Sequence, residues 1–453
     1  MSGQTLMIQG TASDVGKSVI VQALCRYFAN QGQKVFPFKS QNMSYSYITP
    51  AGAEMSLSQA QQAVAAKREP DIRMNPILLK PVHDQGSEVI IMGENQGYMS
   101  AQTYHTYKPQ LTEQLRTLVA ELKQENDLMI IEGAGSPAEI NLNEHDLVNM
   151  GLAQIADSPV ILVADIERGG VFASIYGTLA LMPEADRQRV KGIIINKFRG
   201  DLSLLESGLK QIEDLTGVQV LGVIPVFDLP LTDEDSLGLD KVSRLVDPRK
   251  DLDVVIIDFK GLNNFPDYQA LFQQADVHVR LVAAGNELGT PDLVILPDHQ
   301  AVTENATWFN ETGLATALSE SDAQIIGFNH GALHLGTTWT VNGATGEGCG
   351  LVPVDLVLKS LPAKRHARGY QTAHLNAEIM EGRIGVTAIQ GLFADADWTR
   401  AYLNKLRQQK GLAPLVPNDK ESVEEIYDEL ANHVTAHLDL ALLNKIVSRS
   451  TAS

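Results

Sequence analysis

The feature that most constrains this chain is a glycine-bounded loop near its start, which runs Gly10, Thr11, Ala12, Ser13, Asp14, Val15, Gly16, Lys17 and Ser18. The loop follows an apolar run of strand length, Thr5 to Gln9, and leads into a helical pattern from Val19 to Ala29. A glycine loop between a buried strand and a helix directs backbone N–H groups at phosphate oxygens. The loop therefore predicts an α/β domain that binds a nucleotide.

The end of this loop predicts how the nucleotide is held. Lys17 would reach the β and γ phosphates of ATP as a point charge, and the Ser18 hydroxyl would bind Mg²⁺. Five residues separate Gly10 from Gly16, whereas the usual form of the loop has four. The alternative is an ordinary strand-to-helix turn with a glycine cap, but the flanking strand and the Gly-Lys-Ser ending favour a phosphate site.

The first half of the chain alternates apolar runs of strand length with helical segments. This alternation is typical of a parallel sheet covered on both faces, so we expect a doubly wound α/β domain over residues 1–230. The apolar runs are Thr5 to Gln9, Lys34 to Phe38, Leu128 to Glu132, Val160 to Ala164, Gly192 to Asn196 and Val218 to Val223.

A charged stretch separates this half from the rest of the chain. Residues 231–250 begin with the acidic LTDEDSLGLDK and end in turn-forming residues, which predicts a solvated linker. Strand-like runs resume beyond it, so we expect a second α/β domain over residues 251–453, closed by a terminal helix. The runs are Asp253 to Ile257, Val277 to Val282, Leu293 to Leu296 and Gln324 to Gly327, and the helical apolar spacing is carried by Val423, Ile426, Leu430, Val434 and Leu438.

Two charged residues stand at strand ends on the predicted phosphate side of the first sheet. Lys39 follows the second strand, and Glu132 ends the third. Because binding sites of open α/β sheets lie at the carboxyl ends of the strands, we expect Lys39 to neutralise a phosphoryl group or a substrate carboxylate. Glu132 would bind Mg²⁺ directly or through water. The alternatives are a solvated lysine and a buried acid that caps its loop.

Composition excludes several classes of function. Thirty-six Lys and Arg against 55 Asp and Glu give a formal net charge of −19, which disfavours binding to nucleic acid. No apolar run approaches the ~20 residues of a membrane span, and the start of the chain lacks the pattern of a secretory signal. Two cysteines, Cys25 and Cys349, provide neither a disulfide framework nor a paired zinc motif. We therefore expect a cytoplasmic protein that binds neither nucleic acid nor membranes.

Longer motifs across the first domain resemble the cobyric acid synthase family of cobalamin biosynthesis. The stretches that carry the resemblance are QGTASDVGKS, PFKSQNMS, DIRMNPILLKP, IIEGAGSPAEINL, HDLVNMG, LVADIERGGVFAS, NKFRGD and LGVIPV. The loop spacing and the EGAG turn that begins at Glu132 are also similar to dethiobiotin synthetase. SPAEINL, VNMG and ADIERGG are specific motifs, whereas the loop alone indicates only a nucleotide.

The resemblance implies a ligase that uses ATP and Mg²⁺ to amidate corrinoid carboxylates through acyl phosphates. The family substrate is adenosylcobyrinic acid a,c-diamide, which is amidated at its b, d, e and g carboxylates. Lys17, Lys39 and Glu132 would be catalytic, with Ser18, Glu54 and Glu132 near the metal. The residues that the resemblance places around the substrate or the phosphates are Gln41, Asn42, Lys80, Asn141, Asp146 and Asp165.

The second domain resembles class I glutamine amidotransferases but departs from them at two positions. In the family, a cysteine at the tip of a strand-to-helix elbow attacks glutamine, and a downstream histidine takes its proton. Here the elbow reads GFNHG with Asn329 at its tip, and Gln390 stands before Gly-Leu-Phe where the histidine is expected. We therefore expect no glutaminase activity, and ammonia would come from solution or from a separate glutaminase.

Two other functions are compatible with these residues. A nucleotide-binding pseudoenzyme that regulates or scaffolds a partner would keep the phosphate loop without ligase activity. A related amidoligase would act on a different carboxylate, although motifs shared across the whole first domain favour the corrinoid. The sequence does not indicate an oligomeric state.

Overall fold

The computed structural model divides the chain into two compact units. The first contains residues 1–49, 53–235 and 421–453, and the second contains residues 50–52 and 236–420. No helix among the described residues is both long and apolar enough to cross a membrane. The residues that the structure describes are 3–43, 46–48, 53–81, 86–141, 146–227, 242–260, 262, 265–299, 301–341, 343–366, 369–375, 379–416 and 423–448.

The first unit begins with alternating strands and helices. Its strands are β1 (Gln4–Gly10), β2 (Val35–Phe38), β3 (Gln41–Met43), β4 (Ser46–Ile48), β5 (Glu54–Ser56), β6 (Ile77–Pro81), β7 (Gly86–Ile91), β8 (Glu94–Ser100), β9 (Leu128–Glu132), β10 (Val160–Asp165), β11 (Val190–Phe198) and β12 (Val220–Pro225). Its helices up to this point are α1 (Lys17–Asn30), α2 (Leu57–Ala65), α3 (Ala101–Glu125), α4 (Met150–Ala156), α5 (Val171–Leu181), α6 (Glu184–Arg187) and α7 (Glu206–Thr216).

Six of these strands form one parallel sheet, in the order β12-β11-β10-β1-β9-β2. Alternate residues of β1 enter separate apolar clusters, Met7 in one and Leu6 and Ile8 in the other. Because both faces of a parallel sheet are covered, its strands are continuous apolar runs, which is why they are legible in the sequence. All six predicted strands belong to this sheet, and the predicted fold class is confirmed.

A second sheet of the first unit is not evident from the sequence pattern. β3, β6, β7 and β8 form four neighbouring strands, of which β3 and β6 are parallel and the rest antiparallel, while β4 pairs with β5. β8 is polar and mostly exposed, so it lacks the alternation that marks a half-buried strand.

The second unit is also an α/β fold. Its strands are β13 (Leu252–Ile257), β14 (Val277–Val282), β15 (Leu293–Leu296), β16 (Gln324–Phe328), β17 (Thr338–Val341), β18 (Ala344–Glu347), β19 (Leu356–His366), β20 (Gly369–Leu375), β21 (Ile379–Glu381), β22 (Ile384–Thr387) and β23 (Ile389–Gln390). Its helices are α8 (Gln269–Phe272), α9 (Val302–Glu311), α10 (Leu314–Glu320), α11 (Asn329–Leu333) and α12 (Ala396–Gln409).

The main sheet of the second unit has the order β14-β13-β15-β16-β22-β21, parallel except for β21. It is again buried on both faces, since Val255 and Ile257 enter one apolar cluster and Val254 and Ile256 enter another. The four strands predicted for this region are all present in it. A further sheet, β18-β17-β19-β20-β23, is not predicted by the sequence pattern.

The last two helices, α13 (Val423–Ala436) and α14 (Leu440–Ser448), belong to the first unit. Tyr427, Leu430 and Val434 share an apolar cluster with Leu24 and Phe28 of α1. The terminal helix is thus present as predicted, but the expectation that the second domain runs from 251 to 453 is wrong at its end, because the apolar face of α13 is buried against α1. Residues 231–241 of the expected linker 231–250 lie outside the described residues.

Candidate active site

The ends of neighbouring parallel strands define the site in the first unit. β1 lies beside β9, with Ile8 opposite Glu132, and β2 lies on the other side of β9. This register brings Gly10, Lys39 and Glu132 to one edge of the sheet, although they are distant in sequence. The expected meeting of the strand ends follows directly from the order of the strands.

The phosphate loop turns through a left-handed residue immediately before its helix. Gly16 has a φ of 93°, a conformation that residues with a Cβ rarely adopt, and α1 begins at Lys17. The Lys17 Nζ atom donates to the carbonyl oxygens of Ala12 at 3.1 Å and Gly135 at 3.3 Å. The ammonium group therefore lies between the loop and the turn after β9, where a nucleotide-binding loop requires a cation.

Glu132 is the centre of this site. Only 1% of the residue is exposed, and its Oε1 atom accepts from Ser18 Oγ and Lys39 Nζ, each at 2.9 Å. Its Oε2 atom accepts from Gln62 Nε2. Burial disfavours the charged form, but the Lys39 ammonium and the hydrogen bonds from Gln62 and Ser18 lower the pKa of Glu132 below its usual value. Glu132 is therefore an ionised carboxylate held by three side chains.

Two residues at the end of β11 brace the loop. Asn196 Nδ2 donates to the Val15 carbonyl at 2.9 Å, and Lys197 Nζ donates to the Asp14 carbonyl at 2.5 Å. Lys197 also pairs with Asp165 at 3.1 Å, and its φ of 59° is unusual for a residue with a side chain. Sequence reasoning assigned no role to this pair, although both residues belong to the NKFRGD motif.

The second unit has a sharp strand-to-helix elbow. Asn329 follows β16 with a φ of 43° and is 1% exposed. Glycines flank it where the backbone is crowded: a Cβ on Gly327 would lie 2.6 Å from the Ala332 Cα, and one on Gly331 would lie 2.2 Å from the Pro297 carbonyl oxygen. This is the strained turn that presents a nucleophile in other enzymes, yet its tip carries a carboxamide.

A cluster of histidines lies next to this elbow. His330 Nδ1 is 2.7 Å from Asp298 Oδ1, and His299 Nε2 is 2.9 Å from His334 Nε2, while Asn305 Nδ2 donates to His299 Nδ1 at 3.0 Å. Burial opposes the charged form of His330, but Asp298 raises its pKa overall. Burial lowers the pKa of His299 well below its usual value and that of His334 to about 3. His299 and His334 are therefore neutral, hydrogen-bonded rings.

Gln390 and the two cysteines are the other residues that bear on glutaminase chemistry. Gln390 ends β23, which pairs with β20, and its side chain lies outside the part of the chain that the structure describes. Cys25 and Cys349 are free thiols, and burial raises the pKa of each. A reactive cysteine needs a lowered pKa, so neither thiol has the environment of an activated nucleophile.

Comparisons with known proteins match both units. The AAA domain family matches residues 4–233, and the CobB/CobQ-like glutamine amidotransferase domain family matches residues 253–390. A cobyric acid synthase of Streptococcus sanguinis is 42% identical over 98% of this chain and 99% of its own length, and one of Limosilactobacillus reuteri is 43% identical over 100% of both. The chain belongs to the cobyric acid synthase family. The resemblance inferred from the motifs is thereby confirmed, and with it assignment to a ligase family of cobalamin biosynthesis.

The predicted metal ligands of this cobyric acid synthase family member lie in two groups. Ser18 and Glu132 are in contact and supply oxygen ligands of the kind that Mg²⁺ combines with phosphate oxygens and water. Glu54 instead pairs with Lys80 at 2.6 Å. No group of three or more His, Cys, Asp or Glu suited to a metal occurs among the described residues. Because Mg²⁺ often takes only one or two carboxylates, Ser18 and Glu132 fit this ion without such a group.

Three of the predicted substrate residues lie on the four-stranded sheet of the first unit and contact other protein groups. Gln41 accepts from the Tyr104 hydroxyl at 2.5 Å, and Asn42 donates to Ser56 Oγ at 2.7 Å. Lys80 pairs with carboxylates on two other strands. These contacts fix the three side chains in place, and their role toward a corrinoid stays a prediction.

Of the remaining predicted residues of this family member, Asn141 and Asp146 lie between β9 and α4, and Asp165 is the last residue of β10. Asn141 is exposed, and Asp146 accepts from three backbone N–H groups at the start of α4, at 2.8–3.0 Å. Asp165 accepts from the Glu167 N–H at 2.7 Å in addition to pairing with Lys197. The two aspartates therefore hold loop conformation, and contact with substrate stays a prediction for all three residues.

Proposed function

We propose that this chain is an ATP-dependent amidoligase that amidates corrinoid side-chain carboxylates with ammonia not released by its own second unit. The observation that supports it most is the contact of Ser18, Lys39 and Glu132 beside the phosphate loop, set against Asn329 at the elbow. Similarity along the whole length of proteins named cobyric acid synthase favours the corrinoid over other acids.

The chemistry has to overcome two obstacles, because a carboxylate carries a delocalised negative charge and would lose oxide as its leaving group. In the first step a carboxylate oxygen attacks the γ phosphorus of ATP, the bond from that phosphorus to the bridging oxygen breaks, and ADP leaves. The product is an acyl phosphate. Ammonia then attacks the acyl carbon, phosphate leaves with the electron pair of the C–O bond, and the nitrogen loses a proton to give the amide.

The protein contributes position and charge to both steps. The backbone of the loop from Gly10 to Ser18 would bind the phosphates, with Lys17 placing a positive charge against them. Lys39 would balance the charge on the transferring phosphoryl group. Ser18 and Glu132 would hold Mg²⁺, which, when bound, neutralises phosphate charge.

We expect the substrate to be adenosylcobyrinic acid a,c-diamide, amidated at its b, d, e and g carboxylates. Burial disfavours the charged form of Lys80, but Glu54 and Glu88 outweigh it and raise the pKa of Lys80, so this residue is a cation. The full set that we propose near the substrate or the phosphates is Gln41, Asn42, Lys80, Asn141, Asp146 and Asp165.

The nitrogen source follows from the elbow. A carboxamide nitrogen is not a nucleophile at neutral pH, so Asn329 would not attack glutamine, and Gln390 would not take a proton. Ammonia would instead come from solution or from a separate glutaminase.

The decisive experiment incubates the purified chain with ATP, Mg²⁺ and the corrinoid diamide, with either glutamine or ammonium chloride, and follows the products by mass spectrometry. We expect amide formation with ammonium and none with glutamine. Amidation driven by glutamine alone, with release of glutamate, would contradict the predicted loss of glutaminase activity. No amide with either nitrogen source, despite ATP binding, would favour a regulatory nucleotide-binding protein. Amidation of a different acid in place of the corrinoid would show that the chain is an amidoligase with another substrate.

A further inference from the structure

The short helix α2 buries polar side chains as well as alanines. Ser58, Gln59 and Gln62 are all buried on it. A buried amide costs free energy unless its groups are hydrogen bonded, so buried glutamines call for a reason. Gln62 is 0% exposed, and its Nε2 atom reaches Glu132 Oε2 across a separation of 70 residues.

The two oxygens of Glu132 are held differently. Oε1 accepts from Ser18 and Lys39, whereas Oε2 accepts from Gln62. Gln62 therefore restrains the carboxylate oxygen opposite the one that Ser18 and Lys39 hold, and with them it sets the orientation of the carboxylate. The Gln62 Oε1 atom is buried and has no hydrogen-bond partner among the described residues, so it can accept one from water.

We propose that Gln62 is a positioning residue. It fixes the carboxylate of Glu132 so that Glu132 and Ser18 together bind the divalent cation that accompanies the nucleotide. The inference rests on the proposed nucleotide function of the first unit. Its physical basis is that a second partner which orients a metal-binding side chain typically changes metal affinity about 10–100-fold when removed.

The test measures metal binding without turnover. Mn²⁺ is titrated into the full chain with β,γ-imido ATP, and free Mn²⁺ is followed by electron paramagnetic resonance, for wild type, Gln62→Met and the matched control Gln61→Met. Gln61 lies on the same helix, is only partly buried and accepts one long bond from Gln22. We expect Gln62→Met to weaken Mn²⁺ binding about 10–100-fold and Gln61→Met to leave it unchanged.

Three outcomes are distinguishable from this one. Unchanged Mn²⁺ binding by a folded Gln62→Met variant would overturn the positioning role while leaving the nucleotide function intact. A wild type that binds neither the ATP analogue nor Mn²⁺ would overturn the proposed function itself. Folding of the first unit is checked by the protection of buried Cys25 from thiol reagents. If Gln62→Met exposes Cys25, the variant Gln62→Asn, which keeps an amide on a shorter side chain, is tested instead. The inference fails if a folded Gln62→Asn variant binds Mn²⁺ as tightly as wild type.

Discussion

The two units place chemistry at comparable points, since each has a site where parallel strands end, but they differ in what stands there. In the first, Lys39 and Ser18 converge on one buried carboxylate, Glu132. In the second, the strained backbone of an elbow is kept by Gly327 and Gly331, yet the residue at its tip is Asn329. The geometry of the elbow thus depends on backbone crowding, whereas its reactivity depends on one side chain, so either can change without the other.

The largest effect that this comparison predicts is on the first unit. Lys17→Met removes the cation that lies between the phosphate loop and the turn after β9, so we expect the rate of amide formation with ammonium to fall about 10²–10³-fold. The matched control is Lys34→Met, because Lys34 is exposed and bonds to the Glu125 carbonyl instead. Product formation is measured by mass spectrometry at saturating ammonium. An equal fall in both variants would show a general effect of losing positive charge and would remove Lys17 from the site.

The next effect concerns the second unit, where the elbow remains without its nucleophile. Asn329→Cys should restore little glutaminase activity, because the adjacent His330 is held by Asp298, and a thiol whose proton no base takes is mostly protonated at neutral pH. Adding Gln390→His should raise glutamate release about 10²-fold or more over the single variant, the usual contribution of a general base. Glutamate is measured by a coupled assay without ATP. Equal activity of the single and double variants would show that position 390 is not where a base acts.

The strands of both main sheets could be predicted because burial on both faces makes them continuous apolar runs. The convergence of Lys39 and Glu132 could be predicted for the same reason, since parallel strands end at a common edge and their order is restricted. In the second unit, the glycines around Asn329 set the register of the elbow. These features depend on local sequence and on sheet topology, both of which leave a signal in the chain.

Contacts between side chains and elements that are distant in sequence leave no such signal. Gln62 reaches Glu132 from a helix that follows short polar strands, and nothing in the helical pattern distinguishes it from Gln61. The packing of α13 against α1 could not be predicted, because an apolar face indicates that a helix is buried but not which unit buries it. The hydrogen bond from Lys197 to the phosphate loop depends on a left-handed backbone conformation, which a lysine in the sequence does not predict.

A moderate, pH-dependent effect is expected from the neutral histidines beside the elbow. The pKa of His334 is about 3 in the folded protein against about 6.5 when unfolded, so the unfolded chain gains a proton first as the pH falls. Relative to His334→Phe, wild type should lose about 1.4 kcal/mol of stability per pH unit from about 6.5 downward, and no difference in slope should appear above that value.

The chain itself supplies a reporter for this measurement. Its three tryptophans, Trp308, Trp339 and Trp398, all belong to the second unit, so denaturant unfolding followed by tryptophan fluorescence reports on that unit. Asp267, whose pKa is also shifted, is common to both proteins and cancels in the comparison, whereas His299 and His330 interact with His334 and contribute to the difference between the two curves. Parallel stability curves for wild type and His334→Phe between pH 7 and pH 5 would show that His334 titrates normally in the folded state.

The smallest effect is expected from Asp146 of the first unit, where a substitution can distinguish a structural role from contact with the substrate. Its carboxylate accepts three backbone N–H groups at the start of α4, so Asp146→Asn, which exchanges one accepting oxygen for a donor, should cost about 1–2 kcal/mol of stability. Cys25 is the cysteine of this unit and is buried, so its labelling under native conditions should become about 5–30-fold faster, while the exposed control Asp214→Asn should leave it unchanged. If Asp146 also contacts substrate, the KM for the corrinoid will rise in the variant at temperatures where it is fully folded, whereas a purely structural role will leave KM as it is in wild type. Unchanged Cys25 labelling would show that the loop before α4 does not depend on this carboxylate.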